Sequence, residues 1–150
     1  MKEITKVVVD AMGGDNAPHE IIKGAVEAVG KSDAIHVILV GKEDVINQEL
    51  SGYTYNKEQI SVVHTSEVIE TAEPPVMAIR RKKDSSIVVG LKMVKDKEAD
   101  AFVSAGSSGA VLAGGQLLVG RIKGVERPPL APLIPTEKGF SILIDCGANV

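Results

Sequence analysis

Aromatic side chains are nearly absent from this sequence, which has no Trp, two Tyr and two Phe in 150 residues. Modules that stack nucleobases need exposed rings, so the scarcity argues against that mode of binding. Excess positive charge is missing too. Lys plus Arg number 17 against 20 Asp plus Glu, a net charge of −3 with neutral histidines. That balance is not the footprint of a DNA or RNA binder, and no nucleic-acid partner is expected. The one cysteine, Cys146, excludes an internal disulfide and any zinc site built from two or four cysteines. Long apolar runs are lacking as well. The longest weakly polar stretch, residues 109–120, is too short to span a bilayer and is interrupted by Gly114, Gly115 and Gln116. No charged segment followed by an apolar one opens the sequence as a secretory signal would. The expectation is a soluble, cytoplasmic protein.

What is present is ordinary globular material. Apolar residues make up 44% and charged residues 25%, enough for one domain with a real core. Short β-branched runs at residues 6–10, 35–40, 60–64, 101–104 and 140–145 have the character of parallel strands buried on both faces. Helical patterns lie between them. Ile22, Val26 and Val29 share a face after Asn16-Ala17-Pro18, where proline near a first turn loses no needed N–H. Ser85 or Ser86 can cap a second helix that carries Ile87, Leu91 and Val94. A third helix, about residues 108–119, is apolar on nearly every side and should be buried. Residues 123–138 hold Pro128, Pro129, Pro132 and Pro135 and read as an extended excursion. Alternating β and α units predict an α/β protein with a mostly parallel sheet and helices on both faces. The last strand pattern and the loop Cys146-Gly147-Ala148-Asn149 call for a following helix, yet the sequence ends at Val150. The expectation is the N-terminal part of a longer protein.

In such sheets ligands bind beyond the carboxyl ends of the strands. The first end, Asp10-Ala11-Met12-Gly13-Gly14-Asp15-Asn16-Ala17-Pro18, runs into a helix start where paired glycines let amides approach an anion. An equally economical reading is a tight turn with Asp and Asn as helix caps. The second, Ser104-Ala105-Gly106-Ser107-Ser108-Gly109-Ala110, offers hydroxyls and free amides without fixed positive charge. Its plain alternative is an N-cap with close packing at the glycines. Neither loop is a Walker A or a dinucleotide turn, so ATP and NAD find no support. His64-Thr65-Ser66-Glu67 and Asp145-Cys146-Gly147-Ala148-Asn149 complete the set. His64 reads as a structural hydrogen-bonder and Cys146 as a small hydrophobe rather than a covalent catalyst. The basic run Arg80-Arg81-Lys82-Lys83 is either a solvated helix end or a docking patch for an acidic partner.

Taken together the motifs resemble the bacterial acyl-carrier-protein:phosphate acyltransferase family, PlsX. The resemblance begins with Val9-Asp10-Ala11-Met12-Gly13-Gly14-Asp15-Asn16-Ala17-Pro18 and continues through Ser66-Glu67-Val68-Ile69-Glu70 and Glu73-Pro74-Pro75. It extends over Arg80-Arg81-Lys82-Lys83-Asp84-Ser85-Ser86, Ser104-Ala105-Gly106, Gly120-Arg121-Ile122 and residues 145–150. Ser107-Ser108 stand where the family commonly has Asn-Thr, and both pairs offer polar groups at a helix start. The resemblance implies a three-layer α/β/α fold like that of isocitrate and isopropylmalate dehydrogenases. It implies transfer of a long-chain acyl group from acyl carrier protein to inorganic phosphate, giving acyl phosphate for phospholipid synthesis. A homodimer working in the cytoplasm at the membrane surface is implied as well.

That chemistry needs no cofactor or metal, because a phosphate oxygen can attack a thioester directly. It needs phosphate held near the carbonyl and an oxyanion stabilised. Asp10, Gly13, Gly14, Asp15, Asn16, Ser104, Gly106, Ser107, Ser108, Gly109, Asp145 and Asn149 are the candidate phosphate and substrate residues. Arg80, Arg81, Lys82 and Lys83 are the candidate carrier-protein contacts, and no residue is singled out as the catalytic acid or base. A coenzyme A-dependent phosphate acetyl- or butyryltransferase, and a non-catalytic phosphate or carrier-protein binding module, remain as alternatives.

Overall fold

The computed structural model describes residues 4–126 and 128–144. Four strands, β1 (Thr5–Asp10), β2 (Ile35–Gly41), β3 (Ile60–His64) and β4 (Ala101–Val103), form a parallel sheet in the order β3-β2-β1-β4. Side chains alternate between faces along each strand. Val37, Leu39 and Ile60 therefore meet one helical layer, made of α1 (His19–Lys31) and α2 (Glu43–Leu50). Val8, Ile38 and Val40 turn the other way, onto α4 (Ser86–Lys95). Beside α4 pack α3 (Pro75–Arg81) and α5 (Ser108–Gly114), around Ile79, Ile87, Leu91 and Ala110. The result is the expected α/β/α sandwich of three layers.

Local chemistry explains most element boundaries. In α1 the buried stripe is Ile22, Ala25 and Val29, with Val26 only half-buried beside it. Pro18 stands just before the helix rather than within it, following a cis Ala17–Pro18 bond. Ser85 caps α4 by accepting the Val88 amide proton at 3.4 Å. α2 was not anticipated: eight residues with only Ile46 and Leu50 buried leave a faint periodic signal.

Gly90 of α4 lies where a Cβ would come within 2.5 Å of the Phe102 ring and 3.0 Å of Val8. Gly90→Val should destabilise the fold by about 1–3 kcal/mol through overpacking. Urea unfolding would show this as a lower midpoint at unchanged slope.

Three expectations need correction. Of the expected strand at 140–145, the described residues 140–144 do not extend the parallel sheet. Gly139–Ile142 forms β6, antiparallel to β5 (Leu133–Thr136), in a separate two-stranded sheet whose residues are exposed. A two-residue link through Glu137 and Lys138, with Gly139 at φ +137°, favours this local hairpin over a distant partner. Hence the excursion at 123–138 also contains a strand, and Pro135 is tolerated because the strand is an edge. The helix from Ser108 passes at Gly115 into a π-helical turn, Gly115–Val119. Full burial is confined to Ala110 and Gly114 in its first half, and Leu117 and Val119 are 51% and 42% exposed.

Candidate functional site

The chain leaves β1 for α1 on one face and leaves β4 for α5 on the other. β1 and β4 are adjacent, so their following loops part at the point where strand order reverses. A crevice opens at such a switch point, beyond the carboxyl ends of the strands.

Asp10, the last residue of β1, is 1% exposed and ties the two loops together. Its Oδ2 accepts the Ser104 hydroxyl at 2.7 Å, and its Oδ1 accepts the Met12 amide at 3.1 Å. Ser104 Oγ in turn accepts the Gly106 amide at 3.0 Å. The glycines make this approach feasible. A Cβ at Gly13 would collide with Asp10 Oδ2 and stand 2.9 Å from the Gly106 nitrogen. A Cβ at Gly106 would come 3.1 Å from the Gly13 Cα, so here backbone meets backbone. Gly14 has φ +109°, a region that favours glycine, and packs on Ala105.

The remaining candidates divide into rim and cap. Asp15 and Asn16 are exposed at the crevice edge, Asn16 through its carbonyl accepting the Glu20 amide. Ser107 caps α5 by accepting the Ala110 amide at 3.2 Å and is buried. Ser108 is exposed on the first turn. Gly109 abuts Pro75, whose Cγ would lie 2.8 Å from a Cβ. Among the described residues the amides of Gly14, Ser108 and Gly109 have no acceptor. Residues 107–109 face a hollow of about 450 Å³ whose other wall is Thr71, Glu73, Pro74 and Pro75. No local sequence signal marks Thr71, which lies 36 positions upstream of Ser107. On the α1 side an apolar groove of about 380 Å³, lined by Val7, Val9, Ile21 and Val103, ends at Asp10 and Ser104. Asp145, Cys146 and Asn149 lie outside the described residues.

The third strand end is stitched rather than open. His64 Nδ1 accepts the Glu43 amide at 3.3 Å, a structural role. Ser66 donates its amide and hydroxyl to Asp84 Oδ2, at 2.9 and 2.5 Å, and the Asp84 amide donates to Glu67 Oε2 at 3.0 Å. Lys82 is drawn in with them. Its Nζ donates to Glu73 at 2.5 Å and to the Val68 carbonyl at 2.6 Å. Of the basic run, then, Arg80, Arg81 and Lys83 stay exposed while Lys82 folds back.

These bonds favour the ionised carboxylates. The Lys82 ammonium, then the Glu70 amide, hold Glu73 below the usual carboxylate range. The Ser66 hydroxyl, then its amide, do the same for Asp84. Because both values are lowered by folding, the stitches act fully above the ordinary carboxylate pKa and fail as pH falls through the lowered values. Hydrogen exchange, corrected for its intrinsic pH dependence, should show the Ser66 and Glu70 amides losing protection in acid while Leu39 stays protected. Equal loss at all three sites would contradict this.

The fold and crevice define an α/β/α protein whose glycine-bearing strand-to-helix loops converge on a switch point. A family model described as "Fatty acid synthesis protein" matches residues 5–150, and the chain belongs to that family. It is 60% identical over 144 residues to a phosphate acyltransferase of Alkaliphilus oremlandii, covering 96% of this chain and 43% of that protein. A phosphate acyltransferase of Clostridium novyi is 57% identical over the same shares. The chain thus spans under half the length of the curated relatives it matches. Among solved structures, the EutD phosphotransacetylase from Staphylococcus aureus superposes with TM-score 0.61 at 20% identity, over 97% of this chain and 47% of that one. That likeness concerns the fold. Among the described residues no helix is long and apolar enough to cross a membrane.

Proposed function

We propose that this chain contributes the N-terminal part of a phosphate acyltransferase that moves a long-chain acyl group from acyl carrier protein to inorganic phosphate. The observation that carries the reading is the crevice between β1 and β4, closed at its base by Asp10, Ser104, Gly13 and Gly106. Membership of the fatty acid synthesis family and the name of the relatives support the reaction class.

In this scheme a phosphate oxygen attacks the thioester carbon, forming a C–O bond and placing negative charge on the carbonyl oxygen. Collapse of the tetrahedral species breaks the C–S bond, and the departing thiolate takes up a proton. The protein's tasks are to bring the reactants together and to stabilise the oxyanion. The amides of Gly14, Ser108 and Gly109, without an acceptor among the described residues, suit anionic oxygens. Asp10 and Ser104 act as positioning residues, holding the two loops in register. Asp15 and Asn16 belong to the same reading as substrate contacts at the crevice rim, and Asp145 and Asn149, outside the described residues, as further substrate contacts. The product, acyl phosphate, is an activated acyl donor for phospholipid synthesis.

The partners follow from the same reading. Arg80, Arg81 and Lys83 offer exposed cations to an acidic carrier protein, with Lys82 bracing the turn that presents them. A homodimer is supported by exposed apolar residues such as Val119 and Ile122, which a second copy would cover. Peripheral contact with a membrane surface in the cytoplasm fits the lipid product.

The test incubates the whole protein with phosphate and either acyl carrier protein thioester or acyl-coenzyme A, trapping acyl phosphate as hydroxamate. Hydroxamate from the carrier thioester is expected. None from either donor would refute the enzyme, and a preference for acyl-coenzyme A would replace the carrier protein as donor.

A further inference from the structure

We propose that the carrier protein seats on a hollow formed by α3, α4 and the π-helical turn, with Lys92 as a cation of that seat. This rests on the acyltransferase reading and replaces a linear basic run by a surface built from three elements. The hollow measures about 550 Å³. Its rim carries Arg80, Lys83 and Lys92, and its floor carries Ile79, Leu117 and Leu118. Lys82, although inside the basic run, is held by Glu73 and Val68 and does not line it.

Charge and shape together identify the occupant. Among the described residues no carboxylate lines the hollow, and Arg80 and Lys83 form no ion pair. The carboxylate that Lys92 feels, Asp84, already accepts two hydrogen bonds from Ser66. Asp84 therefore offsets part of the charge of Lys92, while Arg80 and Lys83 remain unpaired, and the net positive rim favours the approach of an acidic surface. Below them Leu117 is 51% exposed over an apolar floor, a centre that a protein side chain can desolvate. A lone phosphate would neutralise the rim but leave the floor wet. An acidic protein surface with a central apolar side chain satisfies both, and acyl carrier protein is the acidic partner the reaction supplies.

The test compares the whole protein with its Arg80→Glu, Lys83→Glu, Lys92→Glu and Leu117→Ala variants, checked for folding by circular dichroism. Donors are acyl carrier protein thioester and a short acyl-pantetheine thioester, each with phosphate. Each charge reversal should lower the ratio of kcat/KM for carrier thioester to that for pantetheine thioester, by on the order of 10-fold at low salt. The deficit should shrink at high salt, and Leu117→Ala should lower the ratio at every salt concentration. Lys95→Glu, which changes charge equally on α4 but lies outside the hollow, serves as reference. An unaltered ratio in all the rim variants, or one that falls equally in Lys95→Glu, would overturn the docking site while leaving the acyltransferase standing. Should any variant fail to fold, the wild-type protein decides: carrier affinity independent of salt also overturns the site. No acyl phosphate from either donor with the wild-type protein would instead refute the acyltransferase itself.

Discussion

Gly13→Ala should cost the protein both stability and nearly all of its acyl phosphate production. The added methyl would meet Asp10 Oδ2 on one side and the Gly106 nitrogen at 2.9 Å on the other. Neither neighbour is the loose end of a flexible chain. Asp10 is buried and anchored by Ser104 and Met12, while Gly106 presents backbone. The loops must therefore separate, stretching the 2.7 Å Ser104–Asp10 bond. Overpacking together with a weakened, half-buried hydrogen bond should destabilise the fold by about 2–4 kcal/mol. Separation of the loops by about 1 Å should lower kcat on the order of 100-fold. Steady-state kinetics and denaturant unfolding on one preparation would check both. Wild-type values in each would mean that the close approach of the loops is not required.

Asp10→Ala should be nearly as damaging, for a different reason. It removes the acceptor of the Ser104 hydroxyl and of the Met12 amide, leaving two half-buried donors without partners. The expected loss is about 2–4 kcal/mol. Asp10→Asn isolates the Ser104 contact. Its carbonyl can still accept from Met12, but its amide nitrogen then faces a hydroxyl that already accepts from Gly106. The Ser104 proton must find another acceptor, so the cost should fall to about 1–2 kcal/mol. A double-mutant cycle of Asp10→Asn with Ser104→Ala should return a coupling energy of about 1 kcal/mol. Additive effects would show that the two residues act separately.

The legible parts of this fold are those carried by local patterns. Val7, Val8 and Val9, and the run from Ile35, announce buried parallel strands by β-branching alone. Ser85 announces the start of α4 by its capping chemistry. α2 stayed hidden because Ile46 and Leu50 are its only buried residues. In the run beginning at Phe140, apolar composition does not say which partner the strand finds. A two-residue turn beside Gly139 pairs it with Leu133–Thr136 instead.

The site divides in the same way. Glycines at 13, 14 and 106 stand out in sequence, but their mutual approach depends on the adjacency of β1 and β4. Asp10 and Ser104 are 94 residues apart, and no spacing rule joins them. Lys82 looks like its three basic neighbours in sequence. Only the fold shows it turned toward Glu73, with Lys92 taking its place beside Arg80 and Lys83.

The central claim is that phosphate acts as nucleophile on an acyl carbon at this crevice. A single turnover of the whole protein with acyl carrier protein thioester and phosphate bearing heavy oxygen at every position tests it directly. Attack by phosphate predicts acyl phosphate that retains every labelled oxygen, including the one bridging carbon and phosphorus. Ordinary oxygen at the bridge, which would mean a carboxylate attacking phosphorus, or no labelled acyl phosphate at all, would contradict the account.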